Sequence, residues 1–578
     1  MIILGLNIFH GDAAACIIKN DKILIAVEEE RINRIKHSSG FPIKSIKYCL
    51  EYSNLKISDI DYVCVNRNPK INFFKKILFV LKNKLSIDYV IDRINNLNKI
   101  NSIKDLFKNY FENDKIKFKI IYTQHHLSHI SSAFHLSGFE SSSVLSVDGF
   151  GDFVSTMSGE ANKSKIDINH TVYFPHSLGI FYTAITQHLG FPNYGDEYKL
   201  MGLSSFGKNT QKEKIHKLFL DTSYNFKLNL KYFNHTKNKF NLDFYENKPV
   251  IGNLFNQNII EILGPPRENN EEITQVHKDL AKSAQTIYEE IFFNILNELY
   301  IKTNNPNLCL SGGCAQNSLA NGKISLNTKF KNIYVSSSSG DSGGAIGSAT
   351  HFLAKNNIFL KKEYSSYYGP RFNFDQIKES IDRNKEKLKN ITQIDYEKEN
   401  EMLDFVANAI INKKIVGWFQ DRMEWGPRAL GNRSIIANPA IPNIKSIINS
   451  KIKRRESFRP FAPSILEEHI EDWFEENHES LFMSFVKKVN SDKKNIIPSV
   501  VHIDGTGRLQ TVNKKTNPRF YNLIRTFYNM SGIPLLLNTS FNENEPIVMT
   551  PDEAIACFLR TKMDILVLEK TVLIRNNN

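Results

Sequence analysis

The chain has 578 residues, of which 41% are apolar and 23% are charged. It is long enough for several domains, and its composition excludes a peptide, a collagen-like fibre and a wholly disordered protein. The formal net charge is +13, and two windows contain all of it: residues 67–119 carry a surplus of eight basic residues and residues 445–464 a surplus of five. The rest of the chain is neutral on balance, so each basic window needs its own explanation.

Cysteine spacing and apolar runs limit the cellular context. The six cysteines form no Cys-x-x-Cys pair, the start MIILGLNIFHGD has no basic leader, and no apolar run approaches the roughly 20 residues of a membrane span. These features predict a cytoplasmic protein without a zinc ribbon, a disulfide framework or a membrane span.

The first elements predict a layered α/β domain. A strand over Ile2 to Asn7 precedes a hairpin of Ala15 to Lys19 and Lys22 to Glu28. A helix over Pro42 to Tyr52 then leads to a strand over Tyr62 to Asn66. This order favours an α/β layered domain over a helix bundle or a β-sandwich.

The first basic window, residues 67–119, differs from its surroundings in composition. Its apolar residues recur three or four apart, which predicts an inserted helical segment with a basic outer face. They are Ile94, Leu97, Ile100, Ile103, Phe107 and Tyr110. A solvated lysine-rich surface is the plainest interpretation. Contact with a membrane or an acidic acceptor is the alternative.

Strands followed by glycine turns and helices recur farther along. Ile116 to Tyr122 leads into HHLSH, Val144 to Val147 ends at Asp148-Gly149, Asn307 to Leu310 precedes Ser-Gly-Gly, and Ile333 to Val335 precedes SSSSGDSGGAIGSA. Glycine turns at helix starts favour phosphate, so the pattern indicates a nucleotide cradle, although no turn is a Walker A loop or a GxGxxG fingerprint. A polar stretch near residues 355–370 predicts a linker to a second α/β region, and the sequence has no internal repeat.

Two histidines and two aspartates form a candidate metal site. His125 and His129 are four apart, so a helix would place both imidazoles on one face. Asp148 ends a predicted buried strand and Asp341 lies in a Ser/Gly loop. Such a set suits iron, manganese or zinc, and helix capping with core polar contacts is the alternative. His10, at the tip of the first strand, is a candidate general base or a structural histidine.

Basic side chains of the second α/β region form a candidate anion site. Lys453, Arg454, Arg455 and Arg459 lie within seven residues, and Arg428, Arg508 and the turn from Asn538 to Asn542 add further donors. Guanidinium and ammonium groups that converge on one concavity bind phosphates and carboxylates. A solvated basic face is the alternative.

Thirteen ordered blocks resemble a known family. They are GLNIFHGDAAACI, EEERINRIKHSSGFP, HHLSH, VDGFGD, FPHSLGIFYTAIT, YGDEYKLMGLSSFG, LSGGCAQN, SGDSGGAIGSA, EWGPRALGNRSI, KRRESFRPFAPSI, DGTGRLQTV, LLLNTSFNENEPIV and TPDEAIACF. Over nearly its whole length the chain is similar to the O-carbamoyltransferases of the nodulation-factor, cephamycin and tobramycin type.

The resemblance implies two domains. Residues 1–358 would form an actin- and hexokinase-like (ASKHA) domain similar to the tRNA threonylcarbamoyl-transferring enzyme, with 67–119 as a basic helical insertion. Residues 359–370 would be the linker and 371–578 a YrdC-like α/β domain. The second domain is expected to make a carbamoyl adenylate from carbamoyl phosphate and ATP, and the first to pass the carbamoyl group to an acceptor hydroxyl.

The resemblance also implies residue roles. In the first domain His10 would be the catalytic base or orienting group, and Fe²⁺ or another divalent metal would be held by His125, His129, Asp148 and Asp341. Nucleotide contacts there would come from Lys36, Gly312, Gly313 and Asn317. In the second domain carbamoyl phosphate and ATP, the latter with Mg²⁺ as an open addition, would be held by Arg428, Lys453, Arg459, Arg508, Asn538 and Ser540.

The expected partner is a small-molecule or carbohydrate hydroxyl acceptor, with no obligatory nucleic acid; a homodimer stays open. Two alternatives are a tRNA threonylcarbamoyl-type modification enzyme and a basic nucleic-acid-binding protein. The fused LNTSFN and FRPFAPS blocks disfavour the first, and the neutral remainder of the chain disfavours the second. A hydrogenase-maturation carbamoyltransferase would need Cys-x-x-Cys pairs, which the sequence lacks. The acceptor's identity is not predicted.

Overall fold

The computed structural model forms two compact units, Met1–Glu363 and Tyr364–Asn578. It describes residues 1–83, 103–112, 114–163, 165–236, 242–245, 247–361, 365–456, 458–476 and 478–576. In this described part of the chain no helix is both long and apolar enough to cross a lipid bilayer, and the cysteines are free thiols.

The first sheet of the N-terminal unit begins with the predicted strand and hairpin. Its strands are β1 (Ile2–Asn7), β2 (Ala14–Lys19), β3 (Lys22–Glu28), β4 (Tyr62–Val65) and β5 (Lys119–Tyr122). They lie in the order β3-β2-β1-β4-β5. β2 is antiparallel to β1 and β3, whereas β4 is parallel to β1 and β5 to β4. Nearly all of β1 and β2 is buried, because helices cover the sheet.

The second sheet repeats this arrangement. The remaining strands of the unit are β6 (Ser141–Gly151), β7 (Val154–Asn162), β8 (Lys165–Tyr173), β9 (Phe219–Asp221), β10 (Lys227–Leu228), β11 (Leu242–Tyr245), β12 (Lys248–Ile251), β13 (Asn307–Ser311) and β14 (Asn332–Val335). The sheet has the order β14-β13-β6-β7-β8, while β9 pairs with β10 and β11 with β12. β6 is antiparallel to β7 and parallel to β13.

The two large sheets therefore share one topology. In each, a central strand pairs with an antiparallel hairpin on one side and with two parallel strands on the other. The sequence shows no repeat that matches this duplication. The same strand order can arise from different residues, because it depends on the burial pattern and on the connections between strands. The predicted mixed α/β class is confirmed, and the actin- and hexokinase-like assignment of the first unit stays a prediction.

The helices of the N-terminal unit connect and cover these sheets. They span Glu30–Asn33, Ile43–Tyr52, Phe73–Asn83, Ile103–Tyr110, His125–Ser137, Leu178–His188, Glu197–Ser204, Lys212–His216, Gln257–Leu263, Gln275–Thr303, Ser318–Gly322, Ile324–Asn327 and Gly343–Lys355. The helices His125–Ser137 and Gly343–Lys355 pack together. A Cβ at Gly347 would lie 1.8 Å from the Ser128 carbonyl oxygen, so only glycine permits this close approach.

The basic insertion, residues 67–119, contains two of these helices. Phe73–Asn83 and Ile103–Tyr110 are helical. Ile103 and Phe107 are buried as their spacing predicts, whereas Tyr110, at the end of the same predicted stripe, is 45% exposed. The other residues of that predicted stripe, Ile94, Leu97 and Ile100, lie outside the described residues.

The C-terminal unit is built on a nine-stranded mixed sheet. Its strands are β15 (Ile391–Asp395), β16 (Val416–Phe419), β17 (Arg433–Ala437), β18 (Ala462–Leu466), β19 (Phe485–Lys488), β20 (Thr506–Val512), β21 (Leu535–Ser540), β22 (Ile565–Leu568) and β23 (Thr571–Arg575). They lie in the order β15-β23-β22-β16-β17-β21-β18-β20-β19.

Helices pack on this sheet over one large hydrophobic core. They span Phe374–Arg383, Glu399–Ile411, Ile444–Ile447, Ile470–Trp473, Pro518–Ser531 and Pro551–Arg560, and a π-helical turn spans Ile448–Lys453. That turn ends with Arg454 in the left-handed region at a φ of 43°, in the middle of the second basic window.

Candidate functional site

Four side chains of the N-terminal unit converge from three separate elements. His125 and His129 occupy the first two turns of the helix His125–Ser137, whose start is capped by the side chain of Gln124. Asp148 lies where β6 bulges away from β7. Asp341 lies in the loop that precedes the helix Gly343–Lys355. Because the two helices pack together, these elements bring all four predicted ligands to one point.

The distances between their donor atoms are short. The Nε2 atoms of His125 and His129 are 3.0 Å apart, and Asp148 Oδ2 is 3.3 Å from the first and 3.0 Å from the second. Asp341 Oδ1 is 3.5 Å from both. All four donor atoms lie within 4.8 Å of one another. Two imidazoles and two carboxylates at this spacing fit a divalent ion of the iron, manganese or zinc type, whose bonds to such ligands are about 2.0–2.2 Å long.

Burial and mutual contact shift the pKa values of the cluster in opposite directions. Burial lowers the pKa of His129, but its hydrogen bonds to Asp148 and Asp341 outweigh burial and raise the pKa to about 9. Burial raises the pKa of Asp148, yet the two histidines hold it well below its usual value. Burial and the neighbouring charge of Asp148 raise the pKa of Asp341. The cluster thus pairs buried negative charge with groups that carry or accept positive charge.

His10 lies against this cluster. Its ring stacks on that of His125 with centroids 4.8 Å apart, and its Nδ1 is 3.7 Å from Asp341 Oδ2. Burial and the nearby Arg67 lower its pKa well below the usual value, so the imidazole is neutral. Phe9 and Asp12, which flank His10 and Gly11, have φ angles of 52° and 53°. This strained corner fixes where the ring points.

Two neighbours of the cluster carried no role in the sequence prediction. The Tyr194 hydroxyl donates to Asp341 Oδ2 at 3.4 Å. Asp152 Oδ2 accepts from the backbone N–H groups of His125 and Asn68, each at 2.9 Å, and so ties the ligand helix to the start of the insertion. Both residues stand in blocks that resemble the family, YGDEYKLMG and VDGFGD, which was the available signal.

The predicted nucleotide residues of the N-terminal unit fall into different surroundings. Gly312 has a φ of 87°, and a Cβ there would lie 2.2 Å from the Val147 carbonyl oxygen, so the turn requires glycine. A Cβ at Gly313 would lie 2.9 Å from Asp148 Oδ1, which places this turn beside the ligand cluster.

Asn317 and Lys36 contact groups outside the ligand cluster. The Asn317 side chain caps the helix Ser318–Gly322 by accepting from Ala320, and its amide exchanges two hydrogen bonds with Gln285. Its amide group is thus already engaged within the unit. Lys36 precedes His37, whose Nδ1 lies 2.8 Å from Asp12 Oδ1.

In the C-terminal unit Lys453, Asn538 and Ser540 lie at one end of β21. The buried Lys453 ammonium donates to Ser540 Oγ at 3.2 Å and to the Asn542 carbonyl oxygen at 2.8 Å. Asn538 Nδ2 donates to Gln510 Oε1 at 3.0 Å and to the carbonyl oxygen of Ala429 at 3.3 Å. These contacts join β21, β20 and the loop that carries Arg428.

Arg428 and Arg508 face the same region. Burial lowers the pKa of Arg428 to about 10. Burial and the charge of Arg428 together lower the pKa of Arg508 well below its usual value. Arg508 is held in place by its Nε, which donates to the Met483 carbonyl oxygen at 2.7 Å. Arg459 instead pairs with Glu456 at 3.5 Å.

Further basic groups adjoin this pair. Arg455 belongs to the candidate anion site of the sequence analysis, whereas Lys445 and His502 were not predicted as site residues. Burial lowers the pKa of Arg455 to about 10, and burial with Arg455 lowers that of Lys445. His502 lies within the field of Lys445 and Arg508. Partly desolvated cations that depress one another's pKa values form a site suited to a phosphate or carboxylate. Lys445 and Arg455 lie in the second basic window and His502 begins the block HIDGTGRLQTV, so the sequence features that could have indicated these residues were present.

Comparison with known proteins identifies the family. Residues 2–350 match the family model described as carbamoyltransferase N-terminus, and residues 407–575 match carbamoyltransferase C-terminus. The chain is 35% identical to the uncharacterized protein sll1178 of Synechocystis sp., covering 99% of this chain and 96% of that protein. It is 34% identical to the nodulation protein NolNO of Sinorhizobium fredii, covering 97% of this chain and 78% of that protein.

Among solved structures, HypF of T. kodakarensis is similar with a TM-score of 0.32 and 13% identity, covering 63% of this chain and 48% of that one. The two family models together match most of the sequence. The N-terminal model matches within the first unit of the structure and the C-terminal model within the second. The chain belongs to the carbamoyltransferase family of the nodulation-protein type and is a carbamoyltransferase.

Proposed function

We propose that the protein is an ATP-dependent O-carbamoyltransferase that divides its reaction between two domains. The YrdC-like C-terminal domain, residues 371–578, converts carbamoyl phosphate, ATP and water into carbamoyl adenylate, pyrophosphate and phosphate. The ASKHA-type N-terminal domain, residues 1–358, transfers the carbamoyl group to a hydroxyl of a small-molecule or carbohydrate acceptor. The observation that carries the proposal is the contrast between an imidazole–carboxylate cluster in one unit and a cationic cluster in the other.

The cationic cluster supports the first half-reaction. Carbamoyl phosphate and ATP are polyanions, and their binding would relieve the repulsion between Arg428 and Arg508. Lys453 holds the end of β21 through Ser540, which positions the amide of Asn538 on the same strand beside the Arg428 loop. Arg459, the remaining residue of the proposed pocket, would reach the substrate by exchanging its Glu456 partner for phosphate.

The imidazole–carboxylate cluster supports the second half-reaction. His125, His129, Asp148 and Asp341 would hold a divalent metal, Fe²⁺ in our proposal. Bound there, the metal would supply Lewis-acid stabilisation of the charge on the leaving phosphate. The glycine turn at Gly312 and Gly313 would admit that phosphate beside Asp148, with Lys36 and Asn317 as further nucleotide contacts.

His10 is proposed as the base. Its neutral ring has Nδ1 toward Asp341, and in the described part of the chain no hydrogen-bond partner faces its buried Nε2. The acceptor oxygen attacks the carbamoyl carbon and its proton passes to Nε2 of His10. The bond between that carbon and the AMP phosphate oxygen breaks, so AMP leaves with the electron pair.

The test measures both half-reactions with the purified full-length protein. Pyrophosphate released from ATP is expected only when carbamoyl phosphate is present, without any acceptor. Radiolabelled carbamoyl phosphate is then screened against sugars, aminoglycosides and other hydroxyl compounds, and label is expected in an acid-stable carbamate ester. Pyrophosphate release that does not depend on carbamoyl phosphate would contradict the proposal.

A further inference from the structure

His502 lies in a turn that fixes the orientation of its ring. Its backbone N–H donates to the Thr506 carbonyl oxygen at 2.7 Å, and its Nδ1 is 3.0 Å from Thr506 Oγ1. The Thr506 hydroxyl donates to Asp504 Oδ1 at 2.6 Å. Because that hydroxyl gives its proton to the carboxylate, it accepts a hydrogen bond from His502 Nδ1–H. The neutral ring therefore carries its proton on Nδ1 and leaves a lone pair on Nε2.

The free ring nitrogen is buried among cations. Nε2 of His502 is shielded from solvent, and among the described residues no group hydrogen-bonds to it. The charged groups whose fields act on the ring are Lys445, Arg508 and Asp504. Arg508 lies two residues after Thr506 on β20, and Lys445 is on the helix Ile444–Ile447. The loop before that helix is connected to the segment before His502, because the Ser499 N–H donates to the Pro439 carbonyl oxygen at 3.2 Å.

A buried polar atom without a hydrogen-bond partner costs folding free energy unless a ligand supplies that partner. A neutral imidazole is the form that these surroundings favour in the free protein: burial, Lys445 and Arg508 lower the pKa of His502 to about 4 against the opposing charge of Asp504. An arriving anion reverses the local field, because it neutralises the cations and adds negative charge next to Nε2.

We propose that His502 is a phosphate-binding residue of the carbamoyl phosphate and ATP pocket, and that it takes up a proton at Nε2 when the phosphoryl group binds beside Arg508 and Lys445. This inference rests on the proposed function of the C-terminal domain. In the bound state Nε2–H donates to a phosphate oxygen while Nδ1–H still donates to Thr506. The hydrogen bonds to Thr506 and Asp504 thus serve to aim one ring nitrogen at the ligand.

The proton uptake gives the binding a defined pH dependence. The pKa of His502 is low in the free protein, and the proposed proton uptake requires it to rise in the complex. The contribution of His502 to affinity is therefore fully present below the free-state pKa and is lost as the pH rises through the pKa of the complex. A ring that only packed in the turn would give no such linkage.

The experiment is calorimetric titration of the full-length protein with inorganic phosphate at about pH 8, where the free ion is a dianion. Two buffers of different ionisation enthalpy report the protons exchanged on binding. The wild type is expected to take up protons. His502→Gln is expected to abolish the uptake and to weaken binding roughly ten- to hundredfold, the usual effect of losing a charge-assisted hydrogen bond.

The control and the second variant keep the outcome decisive. His469→Gln removes a partly buried histidine that pairs with Asp472 and should leave affinity and uptake unchanged. Should His502→Gln fail to fold, Thr506→Val tests the same idea, since loss of the Nδ1 acceptor should reduce the uptake. Phosphate binding by the wild type without proton uptake would overturn the role of His502. So would wild-type affinity and uptake in the folded His502→Gln variant, or in Thr506→Val when it replaces that variant. Absence of phosphate binding by the wild type, or unchanged binding by Arg508→Ala, would overturn the proposed pocket itself.

Discussion

The two clusters differ in how their charges are balanced. In the N-terminal unit each imidazole of His125 and His129 lies within 3.5 Å of two carboxylates, so opposite charges compensate one another. In the C-terminal unit Arg428 and Arg508 carry like charges, and their proximity lowers the pKa of Arg508. The first arrangement is suited to a cation placed between its donors, and the second to an anion. One chain therefore contains two clusters of opposite charge preference, as the proposed division into an activation step and a transfer step predicts.

The largest effect is expected when a ligand of the first site is removed. His129→Ala removes an imidazole that is 3.0 Å from both His125 Nε2 and Asp148 Oδ2. We expect loss of bound metal, measured by elemental analysis, together with loss of transfer to the acceptor, because three ligands remain and two of them are carboxylates. His216→Ala, at an exposed position, is the control. Full metal content in the His129→Ala protein would remove His129 from the ligand set.

Breaking the second site should have a smaller but still large effect. Arg508→Ala is expected to slow carbamoyl-phosphate-dependent pyrophosphate release about 1,000-fold, because a buried donor to the developing negative charge is removed. Metal content should be unchanged. Arg525→Ala, which removes a partly exposed arginine paired with Glu468, serves as the matched control. Normal release by Arg508→Ala would exclude it from the pocket.

The smallest of these effects is expected for His10, and it separates the role of the base from that of the four metal ligands in the N-terminal unit. His10→Ala is expected to slow transfer about 100-fold through loss of the base, while metal content and pyrophosphate release stay at wild-type values. The ring stacks on His125 but is not one of the four ligands, so the two losses should separate. Unchanged turnover on the true acceptor would contradict the role of His10.

Local patterns predicted much of the fold. The first hairpin and the helix after it lie where alternation and turn residues indicate, because such elements depend on neighbours in sequence. The strand predicted over Val144 to Val147 in fact spans Ser141–Gly151. Its first residues are serines, and of these Ser142 and Ser143 are buried. Ser143 Oγ is hydrogen-bonded to Thr303 Oγ1 at 2.6 Å, and a search for apolar residues does not detect such buried polar positions.

Residue spacing predicted the ligand cluster only in part. The four-residue interval of His125 and His129 predicts a shared helix face, which the structure contains. Tyr194 contacts Asp341 across 147 positions and Asp152 holds His125 across 27, and no periodicity connects such pairs. His502 illustrates the same limit, because its surroundings come from a loop, a helix and a strand that only the folded sheet brings together.

The most direct test of the division between the two units uses the His129→Ala protein without an acceptor. Pyrophosphate release from ATP is measured with and without carbamoyl phosphate. We predict release within about twofold of the wild type, because independent sites respond separately to substitution, while transfer to the acceptor is lost. Equal loss of both half-reactions in a folded His129→Ala protein would contradict the account.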